Sequence, residues 1–309
     1  MDAYAALLLL SCTKITFLSI LEGFRCKTIW TDFMDQLTMY ENLKHVHIDF
    51  PGLSLQDVAP LFRPGRLREL SISGLLCRPG ESQCLPPATF SIKDLRLGIC
   101  SPETIGPMVS ACGGLEVLRV YYGSLWSNRR DITINTEKIA DALKNSQTTL
   151  TRLELTIDER CNAVIWELSV RVLRSIGYSL PKFTSLKETT IDAKFLFEPS
   201  GSWPDLLTLF PPNVHRATIE VYGESIFNSV LDPEGPLSNL VEGPSAVLHA
   251  LTLSNSWFKE NQTRFLRKIF LKKKLLFWEW KVYTRPPLII TISPKKHPSV
   301  AVLRRRNQS

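Results

Sequence analysis

The chain has 309 residues, 44% of them hydrophobic and 22% charged, a balance that excludes a disordered or fibrous polymer and provides for a folded core. Its net charge of +7 is unevenly placed: fourteen of the 37 Lys and Arg, against two of the 30 Asp and Glu, lie from Ser254 onward, which leaves a body of 23 basic and 28 acidic side chains. That mildly acidic body argues against a nucleic-acid footprint, and no stretch is long and uncharged enough to span a bilayer.

The run Ala5-Ala6-Leu7-Leu8-Leu9-Leu10 is too short for a secretory core and follows an acidic Met1-Asp2-Ala3-Tyr4, so a signal peptide is not expected. Asn261-Gln262-Thr263 is a sequon that matters only in a secreted chain. Seven cysteines are scattered without a CxxC pair or a zinc-ligand spacing. Cys77 and Cys84 would close a small loop if oxidised, but reduced, mostly buried thiols are the expectation. Cytoplasm and/or nucleus is therefore the expected location.

An apolar triplet written L-x-x-L-x-L, with Ile and Val tolerated, recurs along the chain. Its copies are Ile15/Leu18/Ile20, Leu43/Val46/Ile48, Leu67/Leu70/Ile72, Ile92/Leu95/Leu97, Leu115/Leu118/Val120, Leu150/Leu153/Leu155 and Leu248/Leu251/Leu253. Leu186/Thr189/Ile191 and Val214/Ala217/Ile219 are degenerate copies. Successive starts lie 28, 24, 25, 23, 35, 36, 28 and 34 residues apart, against a leucine-rich-repeat period of about 20–29 residues. The fourth and sixth residues of each copy would face one core, because side chains alternate along a strand.

Between triplets the spacing predicts helices. Ser101-Pro102-Glu103 opens one with a capping serine, and Gly113-Gly114 closes it. Further helices are expected over Thr136–Leu143, over Val164–Ile176, and over Trp203–Phe210 ahead of Pro211-Pro212. A doubly wound sheet would call for near-continuous apolar strands and a glycine-rich phosphate loop, neither of which is present. The expected fold is an α/β leucine-rich-repeat solenoid, a ribonuclease-inhibitor-like horseshoe arc of about nine irregular repeats over residues 1–255. Residues 256–309 are expected to be a basic, poorly ordered tail. Its mixture of Lys and Arg with Trp278 and Trp280 suits nucleic acid or an anionic membrane, but its abrupt onset favours a segment outside the fold.

These segments resemble the fungal F-box/leucine-rich-repeat proteins. The likeness rests on Tyr4-Ala5-Ala6-Leu7-Leu8-Leu9-Leu10 with Ile15-Thr16-Phe17-Leu18-Ser19-Ile20, on Leu43-Lys44-His45-Val46-His47-Ile48 and on Leu67-Arg68-Glu69-Leu70-Ser71-Ile72. It covers the repeat region, about residues 3–255, with no F-box, since the first residues already sit inside a repeat. The resemblance implies a substrate-recognition array of a cullin-type ubiquitin ligase. A generic interaction or structural protein with no ligase role is the alternative.

No GxGxxG, GxxxxGK[ST], HExxH or GxSxG occurs. His45-x-His47 places two imidazoles on one strand face, where solvated histidines are the simpler reading than a metal site. No catalytic, cofactor or metal residue is nominated: the expectation is a monomeric, non-catalytic binding scaffold without small-molecule substrate, nucleic acid or membrane. Its partner would be a protein on the concave face. The fifth residue of each triplet points there, giving Ser19, His47, Ser71, Arg96, Arg119, Glu154, Thr190, Thr218 and Thr252, with Tyr121 beside Arg119. Arg96, Arg119, Tyr121 and Glu154 are the candidate contacts for an acidic peptide, because Arg and Tyr most often anchor interfaces.

Overall fold

A computed structural model describes residues 14–21, 41–62, 65–78, 80–123, 131–158, 162–166, 174–197, 209–220, 250–255 and 288–292. The chain forms two compact units, Met1–Leu150 with Ile157–Trp166, and Thr151–Thr156 with Glu167–Ser309.

In the first unit five triplets become five strands: β1 (Phe17–Leu21), β2 (His45–Asp49), β3 (Glu69–Ser73), β4 (Asp94–Gly98) and β5 (Val117–Tyr122). They pair in parallel in that order. The register aligns Leu18, Val46, Leu70, Leu95 and Leu118 in one column, and Ile20, Ile48, Ile72, Leu97 and Val120 in the next. All ten are buried. The first residue of each triplet from the second copy onward, Leu43, Leu67, Ile92 and Leu115, is buried as well, just ahead of its strand. There a backbone ladder ties one crossing to the next: Arg68 N donates to Lys44 O, Lys93 N to Arg68 O, and Glu116 N to Lys93 O. Beyond the strands Gly74 N donates to Gly98 O, and Gly52 N to Gly74 O.

The described returns between strands carry short helices and 3-10 turns. Helix α1 (Leu55–Val58) starts on a reciprocal cap, Asp57 N donating to Ser54 Oγ and Ser54 N to Asp57 Oδ2, and runs into the 3-10 turn Ala59–Phe62. Helix α2 (Pro102–Ala111) begins at Pro102 as expected, but Ser101 Oγ accepts from Cys77 N at 3.1 Å instead of capping its own helix. Strand β6 (Asp131–Asn135) leads into α3 (Thr136–Ala142), capped by the Asn135 side chain through Lys138 N, and α3 packs on α2.

The second unit repeats the parallel scheme with β7 (Arg152–Ile157, all but its last residue), β9 (Glu188–Asp192), β10 (Arg216–Glu220) and β11 (Ala250–Asn255). Leu153, Thr189 and Ala217 form one buried column; Leu155, Ile191 and Ile219 form the other. Helix α4 (Ser175–Ser179) packs against α5 (Ala193–Leu196). Within residues 256–309 the described segment is β12 (Leu288–Ile292), antiparallel to β11; the rest of the expected tail lies outside the described residues.

Two expectations are corrected. The leucine-rich-repeat solenoid, a horseshoe arc of about nine helix-and-strand repeats, is overturned: the fold is α/β, built on parallel strands with few helices, and divides into two units. Among the described residues only α2 reaches ten residues, and those of the return from β3 to β4 hold just the 3-10 turn Glu81–Gln83. The local reason is composition, because Pro79-Gly80 and Pro86-Pro87 deprive that return of helix-forming residues. The helix expected over Val164–Ile176 is corrected at its start. Asn162–Trp166 is strand β8, paired in parallel with β6 in the first unit; residues 167–173 lie outside the described residues, and Ser175–Ser179 is helix. Ala163-Val164-Ile165-Trp166 is a β-branched and aromatic run that fits a pleated surface better than a helix turn. The helix expected over Trp203–Phe210 lies outside the described residues except for Leu209 and Phe210.

Candidate protein-binding face

With the even positions of each strand in the core, the odd ones stand on the opposite face of the sheet. In the first unit the register lines up Ser19, His47, Ser71, Arg96 and Arg119 across five strands. One row before them run Phe17, His45, Glu69, Asp94 and Val117. One row after, Asp49, Ser73, Gly98 and Tyr121 follow.

Arg96 and Arg119 are thus direct cross-strand neighbours, like charges that would repel if nothing stood between them. Asp94 resolves that repulsion. Its carboxylate accepts a fork from Arg96, Nε to Oδ1 at 3.1 Å and Nη2 to Oδ2 at 2.7 Å, and Oδ2 lies 4.0 Å from Arg119 Nη1. The Asp94 side chain is 14% exposed, those of Arg119 and Arg96 27% and 45%, so the anion is sheltered beneath cations that still reach solvent. Two guanidiniums thus face one carboxylate.

Tyr121 is 40% exposed, two residues on from Arg119 and in register with Gly98. Gly98 offers no side chain beside it, and a Cβ there would meet Ser73 Oγ at 2.8 Å. The Ser73 hydroxyl occupies the space that a side chain at Gly98 would fill, and the Tyr121 ring stands next in that row. It gives the face one apolar wall next to the two cations.

Glu154 belongs to the second unit, where Arg152 Nε and Nη2 both reach its Oε1 at 2.6 Å. Arg152 Nη1 and Arg216 Nη1 each lie 3.5 Å from Glu188. Glu154 is in register with Thr190 and Thr218, and the same backbone register continues to Thr252. The structure brings Arg96, Arg119 and Tyr121 together in the first unit; Glu154, of the second unit, is bonded to Arg152.

Asp94, Arg152 and Glu188 are the residues that the fifth-position rule passed over. They occupy the third position of their triplets, which by the same two-residue period lies on the same face. The signal is in the alternation, which the fifth and seventh positions follow and which extends equally to the third.

His45 Nδ1 lies 3.1 Å from Glu69 Oε2, and His47 stands in register with Ser71. Among the described residues no group of three or more His, Cys, Asp or Glu is placed to hold a metal ion. Among them, too, no helix is long and apolar enough to cross a membrane. The sequence matches no protein-family model and no curated protein.

Proposed function

We propose that this chain is a non-catalytic protein-binding scaffold that takes an acidic segment of a partner protein on the outward face of its first unit. Arg96 and Arg119 receive a carboxylate there, and Tyr121 packs against the residue beside it. The observation that carries this reading is the shared Asp94. It holds Arg96 in a two-bonded fork with Arg119 4.0 Å away, so two guanidiniums stand side by side in advance of an incoming anion. No small-molecule substrate or cofactor enters this reading, and a monomer in the cytoplasm or nucleus suffices for it.

The likeness of the triplet segments to fungal F-box/leucine-rich-repeat proteins supports a narrower form, in which the captured protein is the substrate of a cullin-type ubiquitin ligase. The alternative is an interaction or structural protein with no ligase role. Co-purification of the cullin adaptor with the full-length gene product distinguishes the two.

The binding face itself is tested with a fluorescent oligoglutamate peptide at low ionic strength. Charge reversal at both positions, Arg96→Glu with Arg119→Glu, should abolish binding and leave the Tm nearly unchanged. Undiminished binding by the double variant would place the surface elsewhere.

A further inference from the structure

Four cysteines stand among the described residues, all of them free thiols. They divide into two chemical pairs. Cys100 and Cys112 are in the core, and burial pushes both thiols up to about 12. Neither offers a thiolate or access to an oxidant. Cys77 and Cys84 are only partly covered.

Those two flank one small loop of the first unit, residues 78–83. The loop is folded on itself: Glu81 N donates to Arg78 O at 3.1 Å, Arg78 N to Glu81 Oε2 at 3.0 Å, and Cys84 N to Glu81 O at 3.0 Å. Both ends are anchored. At one end Cys77 N donates to Ser101 Oγ, just ahead of α2, and the neighbouring Leu76 N donates to Leu53 O at 2.7 Å. At the other, Cys84 is followed by buried Leu85. Gly80, in the left-handed region at φ +87° with open space around its Cα, leaves the loop able to adjust without moving those anchors. Burial raises the Cys77 thiol first, then the charges of Glu81 and Glu103, and then Cys84 itself. Burial and Glu81 raise Cys84 in the same direction.

We propose that Cys77 and Cys84 are a redox-responsive pair, joined under oxidising conditions by a disulfide that ties the 78–83 loop to the corner of the first unit. The oxidant is a low-molecular-weight disulfide of the glutathione type. One cysteine thiolate attacks a sulfur of that disulfide and expels one small thiol. The second cysteine then attacks the protein sulfur of the mixed disulfide and expels the other. Two protein thiols and one small disulfide thus become one protein disulfide and two small thiols, with no other electron donor or acceptor. Glu81 opposes a thiolate but not the neutral bond, and two thiols that ionise reluctantly are poor leaving groups. The pair therefore closes slowly and, once closed, resists reduction. The loop it ties down borders α2.

The design of the test follows from the sequence. Trypsin does not cleave Arg78-Pro79, so both cysteines fall in the one peptide Glu69–Lys93. The full-length chain is incubated with glutathione disulfide at mildly alkaline pH, then denatured and alkylated. In most chains this peptide should lose both alkylation sites and two hydrogens, while Cys100 and Cys112 stay fully alkylated. The Cys77→Ser variant should instead carry glutathione on Cys84. If the wild-type peptide keeps both alkylation sites, carries glutathione without closing, or is cross-linked to another cysteine of the chain, the proposal is overturned.

Discussion

Arg119 stands directly across from Arg96 in the parallel register, and both guanidiniums turn toward the same sheltered carboxylate, Asp94. The carboxylate suppresses the repulsion of two like charges and competes with any anion that would bind them.

That competition gives the first prediction. Asp94→Asn removes a negative charge from beside both guanidiniums, so association with an oligoglutamate probe should speed up several-fold at low ionic strength. The gain should shrink as salt shortens the Debye length to a few ångströms. Stopped-flow association at two salt concentrations reads it directly. An unchanged rate constant at low salt would mean that Asp94 does not face the binding surface.

Leu118 is fully buried and in register with Leu95. Leu118→Ala removes apolar surface from the column that joins the strands and leaves a cavity, at a cost of about 2–5 kcal/mol. Arg119→Ala, one residue on and pointing the other way, should cost less than about 0.5 kcal/mol, as surface changes do. Urea unfolding of the two variants compares the faces of a single strand, and equal losses would contradict the assigned register.

Gly74 sits just past β3 at φ +80°, where a Cβ would come within 2.7 Å of Pro51 Cα. The obstacle is backbone, so no side-chain rotation relieves it. Gly74→Ala should cost about 1–3 kcal/mol through the left-handed conformation and the clash together. Gly80→Ala shares the positive φ but meets nothing within 4 Å, so its loss should be smaller. A Gly80 variant as damaged as the Gly74 variant would leave steric approach with no part in the effect.

The contrast between strands and returns explains how much of this was legible. Leu70, Ile72, Leu95 and Leu97 announce strands because a two-residue period with one apolar face has few other solutions. The same alternation puts Arg96, Arg119 and Tyr121 on the outward face. Beyond the strands the helices opening at Pro102 and Thr136 were legible in their own residues, whereas the division into two units and the pairing of β6 with β8 were not. Val164, Ile165 and Trp166 kept an apolar spacing compatible with a helix, yet their backbone pairs with β6. Partners across a sheet are not encoded in local spacing. Asp94 was hidden for a different reason, because its importance lies in a distance to Arg119 on the next strand.

Asp192 supplies the last prediction. The residue ends β9 and caps α5, its Oδ1 accepting from Lys194 N at 2.8 Å, while its Oδ2 is buried with no hydrogen-bond partner. Burial raises its carboxyl from an ordinary 3.8 to about 7; Glu220, in register on β10, adds to the rise, and the Lys194 backbone and charge offset part of it. Between those two values the folded chain holds a proton that the unfolded chain has released, so raising the pH favours unfolding. The penalty is absent below about pH 4, grows through the window up to about 7, and is complete above it, where it amounts to a few kcal/mol. Asp192→Asn keeps an oxygen for the Lys194 amide and removes the ionisation. Stability by urea unfolding should therefore fall from pH 5 to pH 8 more steeply in the wild type than in Asp192→Asn, the difference between the two profiles isolating this one group. Parallel profiles would show that the carboxylate is solvated in the folded chain, and that the buried, unpartnered oxygen is not where the proton is held.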